Sequence, residues 1–89
     1  MPKYVVIGTY TEDAVTKREP YRAEHLARLQ TLKDEGKVVT IGPTKDVTKL
    51  IAILDVESED EARRLIEEDP YWTGSIWTGY ELHEWIQAF

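Results

Sequence analysis

The chain is short and acidic, with 89 residues, 31% of them charged and 42% hydrophobic, and a formal net charge of −6 at pH 7. This length predicts a single domain, residues 1–89, with a small core. The acidic balance and the scattered lysines and arginines exclude the concentrated basic face that nucleic acid or an anionic membrane surface requires.

The pattern of strand and helix formers predicts the order β-α-β-β-α-β. Pro20 is placed to open the first helix and Gly36 to terminate it. Ser58 and Glu61 have the spacing of a capping box at the start of the second helix. The predicted elements are a strand at 3–10, a loop at 11–19, a helix at 21–35, strands at 37–41 and 49–56 joined by a connection at 44–48, a helix from Ser58 to Glu68 or Asp69, and a final strand within 75–87.

This order is that of a ferredoxin-like α+β fold, in which two helices cover one face of a four-stranded antiparallel sheet. The first strand is apolar on both faces, with Tyr4 and Val6 on one side and Val5 and Ile7 on the other. A strand of this kind predicts a sheet that is covered on both faces. Two helices cover only one face, and no loop is long enough to cover the second. We therefore expect a homodimer that packs sheet against sheet.

The first predicted helix carries a histidine among its leucines. At about 100° per residue, Leu26, Leu29 and Leu32 form one stripe, and His25 falls inside that stripe. Arg28 lies on the opposite, charged side of the same projection. The pattern thus predicts that the imidazole points toward the sheet.

Asp69 is the predicted partner of this histidine. The two helices of the fold run antiparallel, so that the start of the first lies beside the end of the second. Of the three acids that end the second helix, Asp69 leans toward the sheet, whereas Glu67 and Glu68 turn away. A carboxylate there opposes the helix macrodipole and needs a partner if it is buried. The His25–Asp69 pair has two interpretations, a structural pair or a catalytic one.

The pair is predicted to lie at an open end of the layers, beside Gly42 and Pro43 and beside Tyr71 and Trp72. Aromatic walls around a few polar groups are typical of a small-molecule site. In such a site His25 would act as general acid or base, and Asp69 would orient it. Tyr71 and Trp72 have a second interpretation, as core or dimer-contact residues.

Arg22 lies about one helical turn before His25 and is a candidate for binding a substrate carboxylate. The alternative is an ion pair with Glu19 or Asp69. His83 is expected on the dimer or solvent face. The chain has two histidines without ligand spacing and lacks a glycine-rich phosphate loop, so we expect neither a metal nor a cofactor.

The chain contains no cysteine, which excludes disulfides, thiolate metal sites and cysteine nucleophiles. No apolar run approaches the roughly 20 residues of a membrane span. The residues at the start lack the pattern of a signal peptide. A cytoplasmic location is the expectation.

Several short motifs, in order along nearly the whole chain, are familiar. They resemble the YCII-related (YciI-like) domain family. The resemblance implies a ferredoxin-like α+β domain of the dimeric α+β barrel group, and an enzyme whose characteristic histidine and aspartate match His25 and Asp69. The motifs are Arg22-x-x-His25-Leu-x-x-Leu, Gly36-Lys-Val, Gly42-Pro43, Ser58-x-x-Glu61-Ala62 and Asp69-Pro70-Tyr71.

The sequence therefore predicts a small dimeric enzyme without a cofactor. The expected chemistry is proton transfer, in an isomerase or lyase sense, on a small anionic or cyclic carbonyl or enol compound. The alternative from a different class is a non-catalytic module that binds a small ligand or only dimerises.

Overall fold

The computed structural model describes residues 2–89. It contains four strands and four helical segments. In chain order they are β1 (Lys3–Tyr10), α1 (Ala14–Lys17), α2 (Glu19–Asp34), β2 (Val38–Pro43), β3 (Lys49–Asp55), α3 (Glu59–Glu67), α4 (Pro70–Thr73) and β4 (Trp77–Trp85).

The four strands form one antiparallel sheet in the order β2-β3-β1-β4. Central strand β1 pairs with both β3 and β4, so that Val6 lies between Ala52 and Leu82. This is the predicted ferredoxin-like α+β arrangement, and the predicted fold class is confirmed.

The core lies between one face of the sheet and the helices. The sheet contributes alternate residues of β1 and β3, and α3 contributes its apolar face, because a strand turns successive side chains to opposite faces. The buried core residues from these elements are Tyr4, Val6, Leu50, Ala52, Leu54, Ala62, Leu65 and Ile66.

Helix α2 is turned differently from the prediction. Its innermost residue is His25, the one buried residue in the helix, whereas Leu26 is 46% exposed. Tyr21 and Leu32, one turn before His25 and two turns after it, are partly buried against the core. The buried stripe is therefore centred on the histidine, and Arg28 lies on the same side.

Two short helices were missed in the prediction. The expected loop at 11–19 contains α1, and the residues after α3 form α4 rather than a plain connection. The caps of the longer helices agree with the prediction: Gly36 has φ 81°, and the Ser58 hydroxyl accepts a hydrogen bond from the Glu61 N–H at 3.1 Å. In residues 2–89, no helix combines the length and the apolar character needed to cross a membrane.

Candidate functional site

The predicted meeting of His25 and Asp69 is observed. His25 lies in the second turn of α2 and is 5% exposed, and Asp69 is fully buried. Nδ1 of His25 is 2.7 Å from Oδ1 of Asp69. An ionised carboxylate can only accept hydrogen bonds, so Nδ1 carries the hydrogen of this contact. In the neutral imidazole, Nε2 then keeps its lone pair.

The predicted place of Asp69 in the last turn of a helix was wrong. Helix α3 ends at Glu67, and Asp69 has an extended backbone with φ −75° and ψ 141°. Asp69 is instead the N-cap of α4, and its Oδ1 accepts a hydrogen bond from the Tyr71 N–H at 2.8 Å. A carboxylate at a helix N-cap is favourable, because it satisfies a free backbone N–H. The opposition to the helix macrodipole inferred from the sequence therefore does not arise.

Arg28 completes the shell around the carboxylate. Its Nη1 donates to Oδ2 of Asp69 at 2.9 Å, and its side chain is three-quarters buried. With the His25 ring and the Tyr71 N–H, Asp69 accepts three hydrogen bonds. These contacts compensate the loss of water around the buried charge. Arg28 was missed in the prediction, although its spacing of three residues from His25 is that of neighbours on one helix face.

Aromatic rings hold the imidazole plane. The Tyr71 ring stacks on His25 with centroids 3.5 Å apart and planes 7° apart. The Trp77 ring stands edge-on to both, with centroids 5.3 Å from His25 and 5.6 Å from Tyr71. Stacked and edge-on packing of this kind leaves the ring little freedom to turn.

Trp77 joins this cluster because of an irregularity in the sheet. The register between β1 and β4 shifts between Thr9 and Tyr10, so that Thr9 pairs with Gly79 and Tyr10 with Trp77. A bulge moves the following side chain to the other face. Trp77 is consequently buried, whereas His83 lies on the opposite face, as expected, with its side chain exposed.

Three of the predicted ligand-binding residues, Gly42, Pro43 and Trp72, lie away from the pair. Arg22 is exposed, and its charge, like that of Arg18, opposes the rise of the Tyr71 pKa. Arg28 takes the contact with Asp69 that was considered for Arg22. Gly42 and Pro43 end β2, the edge strand opposite to β4. Trp72 packs edge-on against Tyr80, with centroids 5.4 Å apart. Of the predicted aromatic walls, Tyr71 is the one that contacts His25.

The second nitrogen of the imidazole remains available. The hydrogen bonds formed by residues 2–89 engage Nδ1 of His25 and do not engage Nε2. Within these residues Nε2 has no hydrogen-bond partner, and it is not fully buried. It therefore keeps a path to solvent through the small exposed part of the ring.

Two tyrosine hydroxyls and an arginine accompany the pair. Burial raises the pKa of Tyr10, and the nearby Trp77 indole and Arg18 guanidinium oppose that rise. Burial also raises the pKa of Tyr71, again against the effect of Arg18. Both hydroxyls are thus neutral donors near neutral pH. Within residues 2–89, His, Cys, Asp and Glu side chains form no group of three that could hold a metal ion.

Comparison with known proteins identifies the family. The sequence pattern of the YCII-related domain matches residues 2–86, nearly the full length of the chain. The protein belongs to the YCII-related domain family. Curated YCII-related proteins include Protein YciI of Escherichia coli O6:H1 and Protein YciI of Shigella flexneri. Each is 33% identical to this chain over 96 aligned positions, which cover 97% of this chain and 98% of the relative.

Among solved structures, 5-chloro-2-hydroxyhydroquinone dehydrochlorinase (TftG) from Burkholderia phenoliruptrix AC1100 has a TM-score of 0.83. It is 25% identical, the match covers 97% of this chain and 95% of TftG, and its structure is a complex with 2,5-dihydroxybenzoquinone. Rv0793 from Mycobacterium tuberculosis has a TM-score of 0.53 at 15% identity, and the match covers 98% of this chain and 97% of the Rv0793 chain. The similarity to Rv0793 shows the shared fold alone.

Proposed function

We propose that this YCII-related protein is a small-molecule enzyme that transfers a proton without a cofactor, in an isomerase or lyase sense. The observation that carries the proposal is the state of His25. Its Nδ1 is fixed by a fully buried carboxylate, and its Nε2 has no protein partner. A general base needs an oriented lone pair and a group that stabilises the cation formed when the base is protonated.

The proposed step moves one proton. Nε2 of His25 takes a proton from a C–H or O–H bond of the substrate, and the bonding electrons stay on the substrate. They form an enolate there, or they expel a leaving group in an elimination. Asp69 stabilises the resulting imidazolium through Nδ1–H, and the stacked Tyr71 ring adds a favourable cation–π contact. The same proton is then returned to substrate, leaving group or water.

The proposed substrate class is a small cyclic carbonyl or enol compound with ionised hydroxyl groups. TftG, which shares the fold closely, binds 2,5-dihydroxybenzoquinone. That compound is a vinylogous diacid and is anionic at neutral pH. A flat ring of this size suits a site whose walls are aromatic.

The competing proposal is a structural pair in a module that binds ligands or dimerises without catalysis. The near-complete burial of His25 and Asp69 favours it. A buried pair with all its hydrogen bonds made stabilises a fold without any need for turnover. Proton exchange separates the two proposals.

The experiment uses 2,5-dihydroxybenzoquinone in D2O. Its ring C–H hydrogens exchange with solvent when the molecule passes through its keto tautomer. We expect the protein to accelerate the loss of the ring proton signal, followed by NMR, above the rate in buffer. Binding of the compound without faster exchange favours the non-catalytic module.

We also propose a homodimer formed through the open face of the sheet. This face carries Val5 and Ile7 of β1 opposite Ile53 and Ile51 of β3. Ile7 and Ile51 are 36% and 43% exposed, which is high for large aliphatic residues at the centre of a sheet. A contiguous apolar surface of this kind is typical of an interface.

Replacing Ile51 with aspartate is expected to convert the dimer to a monomer at micromolar concentration, because the change places a charge at the centre of the proposed interface. The measurement is size-exclusion chromatography with light scattering. Val15→Asp is the matched control, since Val15 is also exposed but lies on α1, away from the open sheet face. A wild-type protein that is monomeric at 100 μM, or an Ile51→Asp variant that stays dimeric, contradicts the proposal.

A further inference from the structure

Two nitrogen donors, one beside the histidine and one near the Tyr10 and Tyr71 hydroxyls, lack a well-placed acceptor. Nε1 of Trp77 and Nε of Arg18 are buried, and neither has an acceptor in good hydrogen-bond geometry within residues 2–89. The polar group near the Trp77 indole is the Tyr10 hydroxyl, whose pKa the indole lowers. Trp77 as a whole is 3% exposed. A buried donor without an acceptor is destabilising, and folded proteins keep few such groups. Both groups act on the Tyr10 hydroxyl, and an acceptor from outside the chain would supply what each of them lacks.

The two donors belong to one cluster around His25. Trp77 contacts the His25 and Tyr71 rings edge-on, and it pairs with Tyr10 across the sheet. Arg18 joins α1 to α2 and is close enough to the Tyr10 and Tyr71 hydroxyls to influence both electrostatically. Tyr10 and Arg18 are half-buried, so they form the rim by which the cluster meets solvent.

The positive charge of this cluster is not neutralised within the chain. Asp69 is engaged by His25, Arg28 and the Tyr71 N–H. Arg18 takes part in none of the ion pairs formed by residues 2–89. A guanidinium and an indole N–H without acceptors are complementary to an anionic oxygen.

We propose that Arg18 and Trp77 bind an anionic oxygen of the substrate beside Nε2 of His25. The inference rests on the proposed function and deepens it, because it defines the substrate as a ring compound with an ionised oxygen near the carbon that exchanges its proton. Donors placed where negative charge develops also stabilise the enolate that proton removal forms. Arg18 thereby takes the role in ligand binding that the sequence suggested for the exposed Arg22.

The test is a titration of the purified protein with 2,5-dihydroxybenzoquinone by calorimetry, with neutral hydroquinone as the second probe. Arg18→Met keeps an unbranched stem of similar length and removes the charge. We expect it to raise the Kd of the dianion about 10- to 100-fold and to change the Kd of hydroquinone less than about threefold. Arg18→Lys keeps the charge but lacks Nε, and its Kd for the dianion should fall between those of the wild type and Arg18→Met.

Trp77→Phe isolates the second donor, since it keeps an aromatic ring and removes the indole N–H. We expect a Kd for the dianion that is about 5- to 20-fold higher. Lys17→Met is the matched control, because it removes a positive charge from the exposed residue next to Arg18. Its Kd should stay within about twofold of the wild type, and an equal weakening by Lys17→Met overturns the assignment of Arg18.

A measurement on the unaltered protein covers the case in which a variant fails to fold. The chain has three tryptophans, and nuclear Overhauser effects to the His25 and Tyr71 rings identify the indole N–H signal of Trp77 in the wild-type protein. This signal should shift with the dianion and not with hydroquinone. No shift at saturation, or no binding of the dianion at millimolar concentration, overturns the inference. Binding that depends on Arg18 without any proton exchange contradicts only the proposed function, and exchange that is indifferent to Arg18 contradicts only this inference.

Discussion

Replacing Asp69 with alanine is expected to lower the free energy of unfolding by about 3–5 kcal/mol, the range seen when one partner of a buried ion pair is removed. The carboxylate is fully buried and accepts hydrogen bonds from His25, Arg28 and the Tyr71 N–H. Its removal leaves a three-quarters-buried guanidinium and a buried backbone donor without their acceptor. The N-cap of α4 is lost in the same substitution.

Urea unfolding at a fixed protein concentration measures this loss. Asp69→Asn is expected to lose less stability than Asp69→Ala, because an amide oxygen still accepts the Tyr71 N–H. Asp34→Ala is the matched control, since Asp34 is exposed and its carboxylate accepts a hydrogen bond from the exposed Gln30. The stability of this variant should stay within about 0.5 kcal/mol of the wild type. A loss below about 1 kcal/mol for Asp69→Ala is incompatible with the hydrogen bonds described here.

Replacing His25 with asparagine is expected to reduce the rate of protein-catalysed proton exchange by about 10²–10⁴-fold, the usual contribution of a general acid or base. The asparagine Nδ2 takes the position of the imidazole Nδ1 and still donates to Asp69. It places nothing at the position of Nε2. The substitution therefore separates the proton-transfer role of the ring from its structural contact.

The stability of His25→Asn should fall by only about 1–2 kcal/mol, through loss of the stacking on Tyr71 and of buried ring surface. His25→Ala, which also removes the donor to Asp69, should lose both activity and additional stability. Exchange rates are measured by NMR in D2O and stabilities in urea. An asparagine variant with the wild-type exchange rate would show that Nε2 is not the proton acceptor.

Much of the fold was predictable because its long elements have strong local signals. The strand at 3–10 and the long helix ending before Gly36 follow from β-branched residues, periodicity and a glycine in the left-handed region. Helix α4 was not predictable from periodicity, since four residues contain barely one turn. Its signal was the Asp69-Pro70 pair, an N-cap followed by proline at the first helical position.

The site was predicted in part from the arrangement of the helices in the fold rather than from local sequence signals. His25 and Asp69 were found because the antiparallel helices bring their positions together. Arg28 was assigned to the solvent side because the leucines were assumed to define the buried stripe, whereas packing turned α2 toward the histidine. Trp77 is an even number of residues from His83, so strict alternation would place both on one face, and the bulge beside Tyr10 moves Trp77 to the core face. Helix rotation and bulges depend on tertiary packing, which a single sequence does not display.

The tautomer of His25 tests the central claim most directly. A long-range ¹H–¹⁵N correlation spectrum of the neutral imidazoles distinguishes protonated from unprotonated ring nitrogens, and the exposed His83 serves as internal reference. We predict that His25 carries its hydrogen on Nδ1 and none on Nε2, and that Asp69→Ala abolishes this preference. A His25 ring protonated on Nε2, with Nδ1 bare, would contradict the account, because Asp69 would then hold no hydrogen bond from the imidazole.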